Sequence, residues 1–161
     1  MTQAKSLADV VHSTYTIEKR FSVSPETAFK AFSDPETKRR WFGQADGRPV
    51  EAFTMDFRPG GQDVARYRMP QGTPFPGAAL GSITTYLDIV ENRRLVFAYT
   101  MSLNDVTFSA SLATVEFRAA DGGTELTFTE QGAFFENADG PAMRQAGWRK
   151  LLASLEKEFA G

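Results

Sequence analysis

Cysteine is absent from this chain of 161 residues, and histidine occurs only once. Without a thiol there is no disulfide, no thiolate nucleophile and no zinc–sulfur site. The single histidine, His12, falls in an N-terminal segment of weak periodicity, where we expect a surface position. No spacing of His, Asp and Glu is typical of a metal site. The sequence therefore assigns no catalytic residue, no metal and no cofactor.

Excess positive charge and long apolar runs are absent as well. The net charge is −2 and the pI about 5.5, which argues against a nucleic-acid partner. The densest basic run, 38–40, is short, and we interpret it as a solvated helix face. No apolar run approaches the roughly 18 residues needed to cross a bilayer. The first eleven residues lack an apolar core, so we expect no signal peptide, no membrane insertion and a cytoplasmic protein.

Phenylalanine, in contrast, is abundant, with 14 residues. The length suits one domain with a sizeable core. We predict a mobile tail over residues 1–12 and a single domain over 13–161. Apolar alternation around Tyr15, Ile17 and Phe21 predicts a half-buried first strand. Ser24-Pro25 and Asp34-Pro35 each predict the start of a short helix, because a capping side chain precedes proline.

From residue 49 to residue 131 the pattern is one of short strands joined by turns, which predicts an antiparallel meander. Ser109, Ser111 and Ala113 precede Val115 and Phe117 on one face of a strand. If that face points inward, the interior is wide at the serine end and packed at the phenylalanine end. We expect most strand acids, including Glu130, to point outward.

A long amphipathic helix is predicted after Gly140-Pro141, with its apolar stripe built around Trp148 and Leu155. Gly147 lies at the edge of this stripe, where it would let the helix approach a strand closely. Arg144 is a cation inside the apolar arc. Three interpretations remain open for its side chain: it extends to water, it pairs with an acid such as Glu130 or Glu136, or it faces a cavity mouth.

Taken together, these elements resemble the START-like (SRPBCC) superfamily, in particular the branch similar to the C-terminal domain of the activator of Hsp90 ATPase. The resemblance covers residues 14–159 as an ordered set. Its main members are Arg20-Phe21, Pro25-Glu26, Phe29, Asp34-Pro35, Trp41, Gly43, Arg58-Pro59-Gly60-Gly61, Leu95-Val96-Phe97, Gly122-Gly123-Thr124 and Gly147-Trp148. Family members often have histidine three residues before the Gly-Trp pair, where this chain has Arg144.

The resemblance implies an α+β helix-grip fold. A curved antiparallel sheet of six or seven strands wraps around the long C-terminal helix, and two short helices follow the first strand. It also implies an apolar cavity between sheet and helix. The residues that we expect to line this ligand cavity are Tyr67, Phe97, Tyr99, Met101, Ser111, Met143, Arg144, Trp148 and Leu151.

Three functions remain open at this stage, because one fold hosts many activities. The first is binding of a small hydrophobic or aromatic molecule in the cavity, without catalysis. The second is a cyclase- or hydrolase-like enzyme in which Arg144 or Tyr99 polarises a carbonyl. The third, and the least favoured, is interaction with an Hsp90-type chaperone ATPase. A homodimer is left open.

Overall fold

The computed structural model describes residues 9–43 and 50–160. Seven strands form one antiparallel sheet in the order β1-β7-β6-β5-β4-β3-β2. Their bounds are β1 Val11–Phe21, β2 Val50–Met55, β3 Gln62–Arg68, β4 Ala79–Val90, β5 Arg94–Leu103, β6 Val106–Ala120 and β7 Gly123–Phe134. Apart from β1, which pairs with β7, neighbouring strands follow one another along the chain. The predicted meander is confirmed.

Two short helices follow β1, as the capping signals predict. Helix α1 spans Pro25–Ser33 and helix α2 spans Pro35–Lys38, followed by one π-helical turn over Arg39–Gly43. The Ser24 hydroxyl accepts the backbone N–H of Thr27 at 3.2 Å. The Asp34 carboxylate likewise accepts that of Thr37 at 3.0 Å. Each cap satisfies an amide that the helix itself leaves unpaired.

Helix α3, Pro141–Ala160, lies against the sheet, with Trp148, Leu152 and Leu155 in the main core. The sheet is curved around it, which is the architecture of a helix-grip fold. Burying the apolar stripe of α3 against one face of the sheet removes both surfaces from water.

Inward-facing side chains differ between the two ends of the concave face. At one end Leu95, Ala113, Val115, Leu126 and Phe128 are fully buried, with no exposed area. We call this end the closed half. At the other end Tyr67, Ser82, Thr84, Tyr99 and Ser111 are buried as well, at 6–8% exposure, and we call this end the open half because small hydroxyl side chains replace much of the bulky apolar filling.

The orientation of β6, which the sequence leaves open, is settled by burial: alternate residues from Ser109 to Phe117 point inward. Gly147 is different from expectation. A methyl group built on it meets no atom within 4 Å, so it faces open space and does not serve close packing. The close approach occurs at Gly123 instead, where a side chain would lie 2.2 Å from the carbonyl oxygen of Phe21.

The predicted border between tail and domain also differs, because β1 begins at Val11. His12 therefore lies in β1, opposite Ala133 of β7, and not in a tail. Residues 1–8 of the predicted tail lie outside the described part of the chain.

Candidate functional site

A buried polar cluster, which we call the Tyr99 cluster, lies where α3 crosses strands β5 to β7. At its centre the Tyr99 hydroxyl donates to the Glu130 carboxylate, with its oxygen 2.8 and 2.9 Å from the two carboxylate oxygens. The same hydroxyl accepts the indole N–H of Trp148 at 3.0 Å. It also accepts an N–H of Arg144 at 3.1 Å. One proton given and two accepted saturate a phenol.

The Glu130 side chain is fully buried, and it is the carboxylate of this cluster. Tyr15, directly opposite it on β1, donates a second hydroxyl hydrogen bond at 2.5 Å. Burial is the main cause that raises the pKa of Tyr15 and Tyr99 above the usual range, and the neighbouring Glu130 carboxylate raises it further. The expectation that Glu130 points outward is therefore wrong. Glu130 alternates with Leu126 and Phe128 along β7, so its side chain lies on the same buried face as theirs.

Arg144 is 5% exposed and has partners for its whole guanidinium group. It holds Asp139 in a two-point contact, with distances of 2.9 Å from Nε and 2.8 Å from a terminal nitrogen. It donates to the Ser109 hydroxyl at 2.8 Å and lies 3.5 Å from the nearer Glu130 oxygen. Burial acts to lower the pKa of Arg144, but the hydrogen bonds and the charge of Asp139 raise it above its ordinary value.

These contacts decide between the three interpretations of Arg144. It does not extend to water, because its side chain is buried. It forms ion pairs, as the second interpretation holds, with Glu130 as predicted but with Asp139 as the closer partner. Its fork is occupied by a carboxylate of the chain itself, so it presents no free donor pair to a ligand.

A second buried cluster, which we call the Lys38 cluster, lies at the other side of the concave face. The Lys38 ammonium donates to the carboxylate oxygen Oδ2 of Asp63 at 2.7 Å and to the Tyr86 hydroxyl at 2.9 Å. That hydroxyl in turn donates to the same Oδ2 in a short hydrogen bond. The ammonium also lies 5.3 Å from the centre of the Phe42 ring, a favourable cation–π distance.

Lys38 is where the structure differs most from the expectation, since the basic run 38–40 was expected to form a solvated helix face. The residue is 5% exposed. Burial lowers its pKa below the ordinary lysine value, although the Asp63 carboxylate acts in the opposite direction. Burial, and then the charge of Asp63, raise the pKa of Tyr86. A parity signal was available for Asp63, because it alternates with Ala65 and Tyr67, which are buried on the same face.

Two buried polar atoms have no hydrogen-bond partner within the described residues: Asp63 Oδ1 and Ser111 Oγ. Both lie on one cross-strand row. Asp63 of β3 pairs with Thr84 of β4, Thr84 pairs with Tyr99 of β5, and Tyr99 pairs with Ser111 of β6. Buried polar atoms normally have partners. The two atoms without a hydrogen-bond partner therefore lie on the row of side chains that belongs to the open half.

The residues predicted to line a ligand cavity are placed unevenly. Tyr67, Phe97, Tyr99, Ser111, Arg144 and Trp148 are buried, and Met101 and Leu151 are partly buried against the core. Met143 is 68% exposed on the outer side of α3, so its placement in the cavity is wrong. Met143 directly precedes the buried Arg144 on α3. Successive side chains of a helix point about 100° apart, so burial of Arg144 leaves Met143 exposed.

The expected chamber does not coincide with either depression recorded in the structure. One, of about 300 Å³, lies around Ser13, Ala110 and Gln131, and the other, of about 340 Å³, around Arg20 and Gly122. None of the predicted cavity residues lines them. Trp148, one of the predicted cavity residues, packs on Phe128 of the closed half, with the two ring centres 4.3 Å apart.

Within residues 9–43 and 50–160, no group of three or more His, Asp and Glu side chains is arranged to hold a metal ion. In the same part of the chain, no helix has the length and apolar character needed to cross a membrane.

The sheet, its C-terminal helix and the buried polar clusters define a helix-grip protein. The family model described as Activator of Hsp90 ATPase homolog 1-like protein matches residues 22–160. The chain therefore belongs to this family. No curated protein matches its sequence.

Solved structures similar to this chain include two rhizobial proteins. An uncharacterized protein from Rhizobium leguminosarum has 34% identity and a TM-score of 0.88, with 94% of this chain and 97% of the other covered. The Mll3558 protein from Rhizobium loti has 41% identity and a TM-score of 0.83, covering 93% and 99%. An AHSA1-like protein from Aeromonas hydrophila, at 22% identity, TM-score 0.66 and 90% of both chains, shows the fold alone.

Proposed function

We propose that this protein binds a small molecule with an apolar or aromatic body in the open half of the concave face, under the first turns of α3. The observation that carries the proposal is the unpartnered Ser111 hydroxyl, which is buried in that half. Ligand sites are typically apolar surfaces with a few placed polar groups. A buried polar atom without a hydrogen-bond partner destabilises the folded protein by about 1–3 kcal/mol, and a ligand that supplies the partner can remove this penalty.

The side chains around Ser111 favour a ligand over further protein packing. Gly132 of β7 lies opposite it, and Ser82 of β4 lies opposite Met101 of β5. Small side chains and one flexible thioether lie here among the buried rings of Tyr99 and Phe134, whereas the closed half is filled with aliphatic and aromatic side chains alone. Methionine adapts its shape to irregular partners. This contrast supports a ligand position at the serine end.

The enzyme alternative gains no support from the two residues considered for it. Tyr99 gives its only proton to Glu130, and both of its acceptor positions are used by Arg144 and Trp148. The Arg144 fork is held by Asp139. Tyr99 therefore has no donor left for polarising a substrate carbonyl, and Arg144 has no free two-point fork.

Binding can be tested with two fluorescent or calorimetric probes of equal ring size, 2-naphthol and 2-methylnaphthalene. We expect at least one of them to bind the protein saturably with one site. Ser111→Phe fills the open half and should abolish binding. The matched control Ala110→Phe carries the same ring to the neighbouring position of β6, on the opposite face, and should leave binding unchanged. If neither probe binds, or if both variants bind equally, the proposal fails.

Native mass spectrometry of protein purified from its own host complements this titration, since a retained molecule would identify the physiological ligand. The family description names an activator of the Hsp90 ATPase. An ATPase assay with Hsp90 separates the two functions: we expect no stimulation at saturating protein.

A further inference from the structure

A carboxylate in the Lys38 cluster has one oxygen saturated and one oxygen without a partner. Both available donors, the Lys38 ammonium and the Tyr86 hydroxyl, converge on Oδ2 of Asp63. Its other oxygen, Oδ1, is buried and has no partner among the described residues. A buried carboxylate oxygen is a strong acceptor, and its desolvation without a hydrogen bond is costly.

The position of this oxygen connects it to the open half. Asp63 starts the cross-strand row that continues through Thr84 and Tyr99 to Ser111. The side chains of Lys38 and Asp63 remain 6% and 5% exposed, in contrast to the fully buried closed half. Through this row the ion pair adjoins the open half, while its partner Tyr86 is fully buried.

We propose that the ligand of the open half carries a hydroxyl group that donates its hydrogen bond to Oδ1 of Asp63. This inference rests on the proposed function and names the ligand class: a neutral apolar or aromatic molecule with an alcohol or phenol end.

Charge and hydrogen-bond capacity select a hydroxyl over other donors. A cationic ligand would meet the Lys38 ammonium, which already neutralises Asp63 at 2.7 Å. An amide would bring a carbonyl oxygen that needs its own donor. Two of the three Lys38 protons are bound to Asp63 and Tyr86, and the rings of Phe42 and Phe97 lie 5.3 and 6.0 Å from the ammonium, so the cluster offers a ligand mainly an acceptor. A ligand hydroxyl brings one donor for Oδ1 of Asp63, and its own oxygen is a weak acceptor that can remain without a hydrogen bond.

The same two naphthalene probes test this inference, because they differ only in a hydroxyl against a methyl group. We expect the wild-type protein to bind 2-naphthol at least about tenfold more tightly than 2-methylnaphthalene at pH 7. A site built to accept a hydrogen bond discriminates strongly against an analogue that lacks the donor. Equal affinities, or a preference for the methyl compound, would overturn the inference while leaving the binding function standing.

The double variant Lys38→Met/Asp63→Leu removes both charges together. It should retain the fold, since replacing a whole buried ion pair by apolar side chains is often neutral or stabilising. It should bind 2-methylnaphthalene at least as tightly as 2-naphthol. The matched control Arg94→Met/Asp88→Leu removes an exposed ion pair outside the cluster and should keep the hydroxyl preference. A preference that survives in the double variant would assign the hydroxyl to another acceptor and refute the role of Asp63.

Discussion

Replacing Trp148 by alanine tests the docking of α3 on the sheet. The indole is 5% exposed and contacts rings on both sides. Its ring centre lies 4.3 Å from that of Phe128 and 6.4 Å from that of Phe97. Its N–H donates to the Tyr99 hydroxyl at 3.0 Å. One substitution therefore removes packing and a hydrogen bond at the same place.

The packing loss dominates the expected effect. Truncation of a buried tryptophan or phenylalanine to alanine typically costs about 3–5 kcal/mol, and we expect a value in this range. The lost hydrogen bond adds less, because the Tyr99 oxygen still accepts from Arg144 at 3.1 Å. Trp148→Phe keeps a ring in the site and should cost about 1–2 kcal/mol.

Equilibrium unfolding in urea measures these values, and the second tryptophan, Trp41, remains as a fluorescent reporter. Met143→Ala provides a matched control on the same helix. Its side chain is 68% exposed, so we expect a change within about 0.5 kcal/mol. A loss below about 1 kcal/mol for Trp148→Ala would show that α3 does not pack on the sheet as described.

Three further predictions concern stability and titration. Gly147→Ala should stabilise by about 0.5–1 kcal/mol in thermal or urea unfolding, because its helical site has open space, whereas Gly123→Ala should destabilise. Arg144→Met should cost about 3–5 kcal/mol in the same assay, since it leaves Glu130 buried without its cation; a loss under about 1 kcal/mol would refute the ion pair. Absorbance at 295 nm should show that at least three tyrosines stay protonated in the folded protein at pH 11, and stability should fall above about pH 10, where only the unfolded chain ionises them. These three are Tyr15, Tyr86 and Tyr99.

Sequence patterns were sufficient for the architecture, because each strand and helix has a local cause. The caps Ser24 and Asp34, each followed by proline, place both short helices. The alternation in β6 divides its side chains between two faces, and the ordered set of motifs predicts the helix-grip fold. Such features depend on neighbours along the chain, and a single sequence contains them.

The polar clusters were harder to predict, since they join residues far apart in the chain. Lys38 meets Asp63 across 25 positions and Glu130 meets Tyr15 across 115. A basic run on a short helix is ordinarily solvated, and burial of one of its members depends on a partner that tertiary contacts supply. Strand parity alone could have identified Asp63 and Glu130 as inward-facing, because each alternates with buried residues. No local signal indicates that Lys38 turns inward to meet Asp63.

The most direct test of the binding site is a methyl NMR spectrum of the protein labelled at its methionines, recorded during titration with 2-naphthol. The chain has five methionines, and two of them report on opposite surfaces. Met101 is partly buried in the open half, while Met143 lies exposed on the outer side of α3. The proposal predicts that the Met101 methyl resonance shifts and saturates with the binding curve while the Met143 resonance stays fixed. A spectrum in which Met101 is unchanged at saturating probe would contradict binding in the open half.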